Sequence, residues 1–301
     1  MSVATEISRL QNAKADIKTA IEAKGVTVPS SATIDSYNTY INQIQTGGGG
    51  GTNYLEQYVN RSLSGSINST QLGTNIGSNM AEYLFYGQIK ITSVDLTGTG
   101  TTKIANSFCT NSHLTSVVVP DTVTEIGNNF CQSSLLNSIT IPSSVIKIGS
   151  YFLGGSRVTS LTIPSTVISL GNYCFNNSSY IQTVIYNANT YSIPQSFCKD
   201  TDNLTLVDIN SSVSSISAYC MGRRSASTNL LEVVLRKTDA IVTVSNPIGD
   251  RGVSAAFRNR HNIKLYVPSA LIASYEANPN WAAGITAGYL TIVALEGSQY
   301  E

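Results

Sequence analysis

From Ile91 onward, apolar and polar positions alternate over short runs, and the runs then repeat. LTSVVVPDTVTEIGNNFCQSSL is followed by LNSITIPSSVIKIGSYFLGGSR and then by VTSLTIPSTVISLGNYCFNNSSY. Pro120, Pro142 and Pro164 fall 22 residues apart, and Phe108, Phe130, Phe152, Phe175 and Phe197 recur every 22 or 23. A weaker copy starts at ITSVDLTGTGTTKIANSFC, and degraded copies follow at IQTVIYNANTYSIPQSFC and LTLVDINSSVSSISAYCMG. Each unit predicts one short strand with Leu114, Val117 and Val119 turned inward and Ser116 and Val118 outward. Pro120 ends the strand because it has no N–H to donate. Val123 and Ile126 return to the core, Gly127 is expected to take a backbone angle that other residues resist, and Phe130 fills the far side. A single unit cannot bury its apolar face alone, so the pattern predicts a stacked solenoid.

The first fifty residues carry a different period. Val3, Ile7, Leu10, Ile17 and Ile21 follow helical spacing, with Lys14 interrupting the stripe, and predict a helix of about five turns stopped by Gly25 and Pro29. Ser30 or Ser31 can cap a second helix from about Thr33 to Gln43, presenting Ile34, Tyr37, Ile41 and Ile44. Gly47–Gly51 then reads as a flexible swivel with a reach of about 12 Å. The expected organisation is a helical attachment and oligomerisation module over 1–46, a linker over 47–53, a lead-in over 54–90, the solenoid over 91–236, and an irregular segment with a closing unit over 237–301.

The pattern L-x-x-[VIL]-x-[IV]-P-x-x-V-x-x-[IL]-G-x-x-x-F, clearest over 91–180, resembles the BspA-type leucine-rich repeat of bacterial surface proteins and some bacteriophage proteins. The resemblance implies a mainly β, right-handed coil of short parallel strands. IKLYVPSALIASYEANPNWAAGITAGYLTIVALEG resembles the strand-helix unit that closes such arrays. Two departures stand out: Tyr186 replaces an aliphatic strand end with no proline after it, and residues 237–262 fit no unit. KADIKTAIEAKGVTVPSSATIDSYNTYINQI also resembles a helical pair near the start of tail and fibre proteins of tailed bacteriophages. That second resemblance implies virion attachment through residues 1–46. A homo-oligomer is expected there, with a trimeric bundle allowed but not required by Lys14.

Composition narrows the function classes. Charged residues are only 12% of the chain against a usual share of about 25%, which suits polar turns rather than ion-paired helices. Lys+Arg and Asp+Glu balance at 18 each, so nucleic acid is not an expected partner. A local surplus of eight cations over six acids in 221–301 reads as solvated surface. No apolar h-region opens the chain and no run is long enough for a membrane span. The expectation is therefore synthesis in a host cytoplasm and residence in a virion, without a signal peptide. The five cysteines are expected to be reduced thiols, four or more of them packed at one repeat position: Cys109, Cys131 and Cys198 directly follow the repeat Phe, Cys220 sits at the equivalent place, and Cys174 directly precedes a Phe.

Catalytic signatures are missing. Only His113 and His261 exist, neither beside a nucleophile motif. Asp200, Asp202 and Asp208 are the nearest group that could supply paired carboxylates, and Asp200 and Asp202 read better as turn residues. No metal set or cofactor motif is present, so neither an enzyme nor a cofactor is expected. What remains is surface: one outward column of Ser116, Ser138, Ser160, Thr183, Leu206 and Glu232, and a second of Val118, Thr140, Thr162, Ile185, Asp208 and Val234. The expected role is a bacteriophage structural protein, a tail, fibre or capsid-attached appendage, whose solenoid binds a host surface protein or glycan. A bacterial surface adhesin, which would need an export signal or anchor, and a polysaccharide hydrolase are the alternatives. Tyr173, Tyr180, Tyr186 and Tyr191 suit sugar or protein contact wherever they are exposed.

Overall fold

The computed structural model describes residues 3–23, 27–32, 65–68, 72, 82–248 and 255–301. The second expected helix, with Ile34, Tyr37 and Ile41, and the glycine run both lie outside the described residues. The chain divides into two units, 1–51 and 52–301. In the first, α1 (Val3–Glu22) runs for 20 residues and ends ahead of Gly25. Ile7 and Leu10 lie on α1, but their side chains fall outside the described residues. Ile21 is buried together with Val28 and Ala32, whereas Ile17, four residues before Ile21, is 43% exposed. The apolar stripe is thus buried at Ile21 and open at Ile17.

In the second unit every strand pairing among the described residues is parallel, and most coils contribute to two ladders. One holds the longer strands: β1 (Gly65–Ile67), β2 (Ile91–Asp95) and β4 (Ser116–Val118) in one sheet. After a break it continues with β7 (Ser160–Ile163), β9 (Thr183–Tyr186), β11 (Leu206–Ile209), β13 (Leu231–Leu235), β15 (Ile263–Val267) and β16 (Leu290–Ala294). The other ladder is made of two-residue strands: β3 (Lys103–Ile104), β5 (Glu125–Ile126), β6 (Lys147–Ile148) and β8 (Ser169–Leu170). It resumes with β10 (Ser192–Ile193), β12 (Ser215–Ile216) and β14 (Thr243–Val244). Leu114, Val117, Val119, Val123, Ile126 and Phe130 are all buried, as the alternation predicts, and Ser116 and Val118 are exposed.

Two segments join the coil that the repeat pattern left outside it. β1 is already in register with β2, Ile67 opposite Val94, so a coil stands where a lead-in was expected. Within 237–262, β14 pairs with β12, and Met221 donates to the Ala256 carbonyl at 2.8 Å. This stretch completes a coil that is 32 residues long from Leu231 to Ile263 instead of 22 or 23. The extra length hides the repeat from a spacing search.

The aromatic spine departs from the simple alignment in one instructive place. Phe108, Phe130 and Phe152 stack with centroids 5.5 and 5.4 Å apart. Cys109 N–H donates to the Phe130 carbonyl and Cys131 N–H to that of Phe152, so the cysteines form a neighbouring column. In the next coil Leu153 donates to Cys174 and Phe175 donates to Phe197, which places Cys174 in the phenylalanine column and Phe175 in the cysteine column. The left-handed residues agree: Asn129, Tyr151, Tyr173, Ser196 and Tyr219 each directly precede the first-column residue of their coil. By the same rule Cys220, whose carbonyl accepts from Cys198, belongs to the phenylalanine column, not the cysteine one. Most coils thus keep one large and one small side chain across the two columns, and exchanging their order leaves coil volume unchanged.

The expectation of five thiols is corrected as well. Cys109 and Cys131 share a column on adjacent coils with Cα atoms 4.7 Å apart, and they form a disulfide. That spacing is the ordinary distance between paired strands, and it falls within disulfide reach. Cys174, Cys198 and Cys220 remain free and buried. Burial pushes all three thiols above their ordinary values. Gly127 also serves a different purpose from the one expected. A Cβ there would lie 2.7 Å from the Ala105 carbonyl carbon and the Asn106 nitrogen, so it is close approach of two coils that demands glycine. The left-handed angles fall on the Ser, Asn, Asp and Tyr residues of the turns instead.

The far end is closed by α2 (Ile272–Ala277) and α3 (Pro279–Thr286). Asn278 caps α3 by accepting from Asn280 and Trp281, with Pro279 at the first helical position. Buried Tyr275 and Trp281 grip a single residue of the preceding coil. The Tyr275 hydroxyl accepts from Val242 N–H at 2.8 Å, and Trp281 Nε1 donates to the Val242 carbonyl at 2.9 Å.

Candidate recognition face

The outward positions of the longer-strand ladder line up in two columns. Ser160 stands opposite Thr183, Thr183 opposite Leu206, and Leu206 opposite Glu232. In parallel, Thr162, Ile185, Asp208 and Val234 follow one another. Ser116 and Val118 sit on β4, opposite Ser93 and Asp95 of β2. Ser138 and Thr140 are exposed on a coil that forms no strand in the longer ladder, and this coil is the break between its two sheets.

Beside that break lies an open depression of about 430 Å³. Its polar lining is hydroxyl-bearing, with Thr140, Ser160, Thr162 and Thr183, and its apolar lining includes Ile139 and Ile185. Six of the ten columnar positions from Ser116 to Asp208 that define the candidate face are exposed (Ser116, Val118, Ser138, Thr140, Ser160 and Thr162). Thr183, Ile185, Leu206 and Asp208 are half-buried. The face therefore runs from open to covered along the ladder.

At the far end, over Arg236 and Glu232, the C-terminal segment forms a cover. Arg236 grips Asp208 at two points, Nε to Oδ1 and Nη2 to Oδ2, both at 2.8 Å. Arg236 Nη2 also donates to the Tyr300 carbonyl at 2.9 Å. Glu232 accepts from the hydroxyls of Tyr266 and Tyr300 at 2.8 and 2.6 Å, and those two rings pack edge to face. Burial, reinforced by the Glu232 carboxylate, pushes the Tyr300 phenol up to about 12. Val234, expected to point to solvent, is fully buried. Repeat spacing could not reveal this cover, because Tyr300 lies 64 and 68 residues from its two main partners.

The tyrosines divide by role. Tyr191 is 76% exposed, and Tyr180 is exposed with the Arg157 guanidinium 5.7 Å from its ring centre. Tyr173 stacks in parallel on Tyr151 at 4.7 Å. Tyr186 is core: its ring packs edge-on against Phe197, and its hydroxyl meets that of Thr190 at 2.6 Å. The acids weighed as a catalytic pair each have a cation instead. Asp200 pairs with Lys199 and Arg224, Asp202 with Arg223, and Asp208 with Arg236. His113 is exposed, and His261 stacks on Tyr289. Among the described residues no cluster of His, Cys, Asp and Glu could hold a metal, and no helix is long and apolar enough to cross a membrane.

A family model described as the BspA type leucine-rich repeat region, in six copies, matches residues 53–151 and 102–227, more than half of the chain. No curated protein matches significantly. Among solved structures, a leucine-rich repeat protein from Bacteroides ovatus is 16% identical with a TM-score of 0.43. The alignment covers 74% of this chain and only 56% of that one. A leucine rich cell surface protein from Faecalibacterium prausnitzii is also 16% identical, with coverage of 80% and 82% and a TM-score of 0.32.

Proposed function

The chain belongs to the BspA-type leucine-rich-repeat family, and from that premise we propose that it is a non-enzymatic recognition protein. Its longer-strand face binds a protein or glycan on a host cell surface. The observation that carries this reading is the depression beside the sheet break, which is lined by both hydroxyl and isoleucine side chains. Hydroxyls there can exchange hydrogen bonds with a polar ligand while the isoleucines shed water from its apolar side. The hydrolase reading loses ground because each acid of the candidate group faces a cation.

The setting proposed for this activity is a bacteriophage particle, with residues 1–46 docking onto other virion proteins and self-associating. Support comes from the likeness of Lys14–Ile44 to the helical module of tail and fibre proteins, and from the exposed Ile17 on α1. A bacterial surface adhesin is the second reading, and family membership supports it rather than the phage setting.

The test uses the labelled full chain on a panel of bacterial cells and their purified surface polysaccharides. Saturable binding should fall at least about tenfold in a Thr162→Arg, Ile185→Arg double variant whose melting temperature is unchanged, a loss of ~1.4 kcal/mol or more. Binding that ignores those substitutions, or release of sugar from the polysaccharide, overturns the reading. Mass spectrometry of purified phage particles against bacterial envelopes separates the two settings.

A further inference from the structure

The two-residue strands β3, β5 and β6 carry a second open depression, of about 320 Å³, apart from the longer-strand face. Its size lies at the small end of the range for ligand sites, with room for about one or two sugar rings. Lys103, Glu125 and Lys147 form one wall, in register on consecutive coils. At strand spacing the two lysine positions are about 10 Å apart, with the carboxylate position between them. Lys103 Nζ meets Glu125 Oε1 at 3.2 Å, and Lys147 makes no ion pair among the described residues.

From that column each chain segment dips inward at an isoleucine, crosses a floor residue, and reaches a polar column on the other side. Glu82, Asn106 and Asn128 line that side, and the two amides are held in place. Asn106 Nδ2 donates to Glu82 Oε1 at 2.7 Å, while its Oδ1 accepts from Asn128 N–H at 2.8 Å. Asn128 Oδ1 accepts in turn from Ser150 N–H at 2.8 Å. Its exposed Nδ2 has no protein acceptor among the described residues. The floor is Ala105, Gly127 and Gly149. A Cβ at Gly149 would lie 2.6 Å from the Asn128 nitrogen, and the same crowding holds at Gly127, so close stacking of the coils keeps the floor bare.

We propose that this groove binds an uncharged glycan laid along the solenoid across the three coils. Two carboxylates, Glu82 and Glu125, balance two ammonium groups, Lys103 and Lys147. An anion laid here would face the carboxylates, and a cation would face the ammonium groups. A hydroxyl both donates and accepts, so neighbouring hydroxyls of one sugar can donate to Glu125 and accept from Lys147 or Asn128. The bare floor admits the flat face of a pyranose ring, which larger side chains would hold off. Because Asn106 and Asn128 are already fixed by hydrogen bonds, little ordering is left for binding to impose. The groove lies on the other ladder from the longer-strand face and does not rest on the reading of that face.

Calorimetric titration of the full chain tests the proposal. Maltohexaose, cellohexaose and mannohexaose serve as neutral probes, an oligogalacturonate as the anionic one and a chitosan oligomer as the cationic one. At least one neutral probe should bind more tightly than both charged ones. Lys147→Met and Glu125→Gln should each weaken that binding at least about fivefold. Their melting temperatures should stay near that of the parent, because exposed ion pairs add little to folding. The Thr162→Arg, Ile185→Arg double variant of the longer-strand face should bind the same probe unchanged. Tighter binding of either charged probe, or unchanged affinity in both groove variants, overturns the proposal. So does loss of binding in the longer-strand double variant, or no binding of any neutral probe up to about 10 mM.

Discussion

Asp208 and Arg236, 28 residues apart on consecutive coils, meet in a two-point ion pair that also holds the Tyr300 carbonyl. This contact fixes where the open part of the strand face stops. Replacing Arg236 by Met should release the last residues and open the face toward Asp208 and Val234. Because Arg236 is more than a third exposed, the global cost is small, about 1 kcal/mol or less. Hydrogen exchange should show faster exchange confined to 295–301 and the ends of β11 and β13; protection unchanged there would argue against the clamp.

The same clamp has a pH limit. The Tyr300 phenol is raised from 10.0 to about 12, so folding holds its proton more tightly than the unfolded chain does. Its stabilising share is complete below pH 10 and is lost as pH climbs through 12. Phenolate absorbance should show a late-titrating tyrosine that titrates earlier in Glu232→Gln yet stays above the ordinary range, since burial, the larger cause, remains.

Cys109 and Cys131 close a loop of 22 residues between adjacent coils. The chain-entropy account puts such a link at about 3 kcal/mol. Denaturant unfolding should shift by up to that amount between oxidised protein and a Cys131→Ala variant. Thiol titration of the unfolded, unreduced chain should find three groups, matching Cys174, Cys198 and Cys220.

The exchange of Cys174 and Phe175 predicts a compensating pair. Cys174→Phe alone forces a second ring into its coil and should cost about 1–3 kcal/mol. Phe175→Cys alone leaves a cavity and should cost about 3 kcal/mol or more. Together they restore one large and one small residue, with Phe now under Phe152, so the double variant should be more stable than the sum of the singles by over 1 kcal/mol. Simple additivity in urea unfolding would disprove the column assignment.

Gly127→Ala tests the close approach between coils. The added methyl would press on the Ala105 and Asn106 backbone at 2.7 Å, and neither can swing away as a side chain would. A loss of about 2–4 kcal/mol is expected, whereas Gly155→Asn, at an exposed left-handed position, should lose less.

The sequence by itself determined the solenoid, the inward and outward alternation, and the two surface columns. Each of these follows from contacts between equivalent residues one repeat apart, and a spacing of 22 or 23 makes such pairs visible as text. Tertiary structure alone decided the rest. The swap at Cys174 and Phe175 needed the hydrogen-bond register, because the letters align equally well either way. The shared repeat position of Cys109 and Cys131 was legible in the sequence, but their bond needed the short distance between adjacent coils. Arg260, whose buried guanidinium donates to the Met221 carbonyl, and the Tyr300 cover join residues 39 to 68 positions apart across an enlarged coil, so no period announces them. Local patterning sets what repeats, while the exceptions that end, pin and charge the repeat arise only when distant coils are brought into contact.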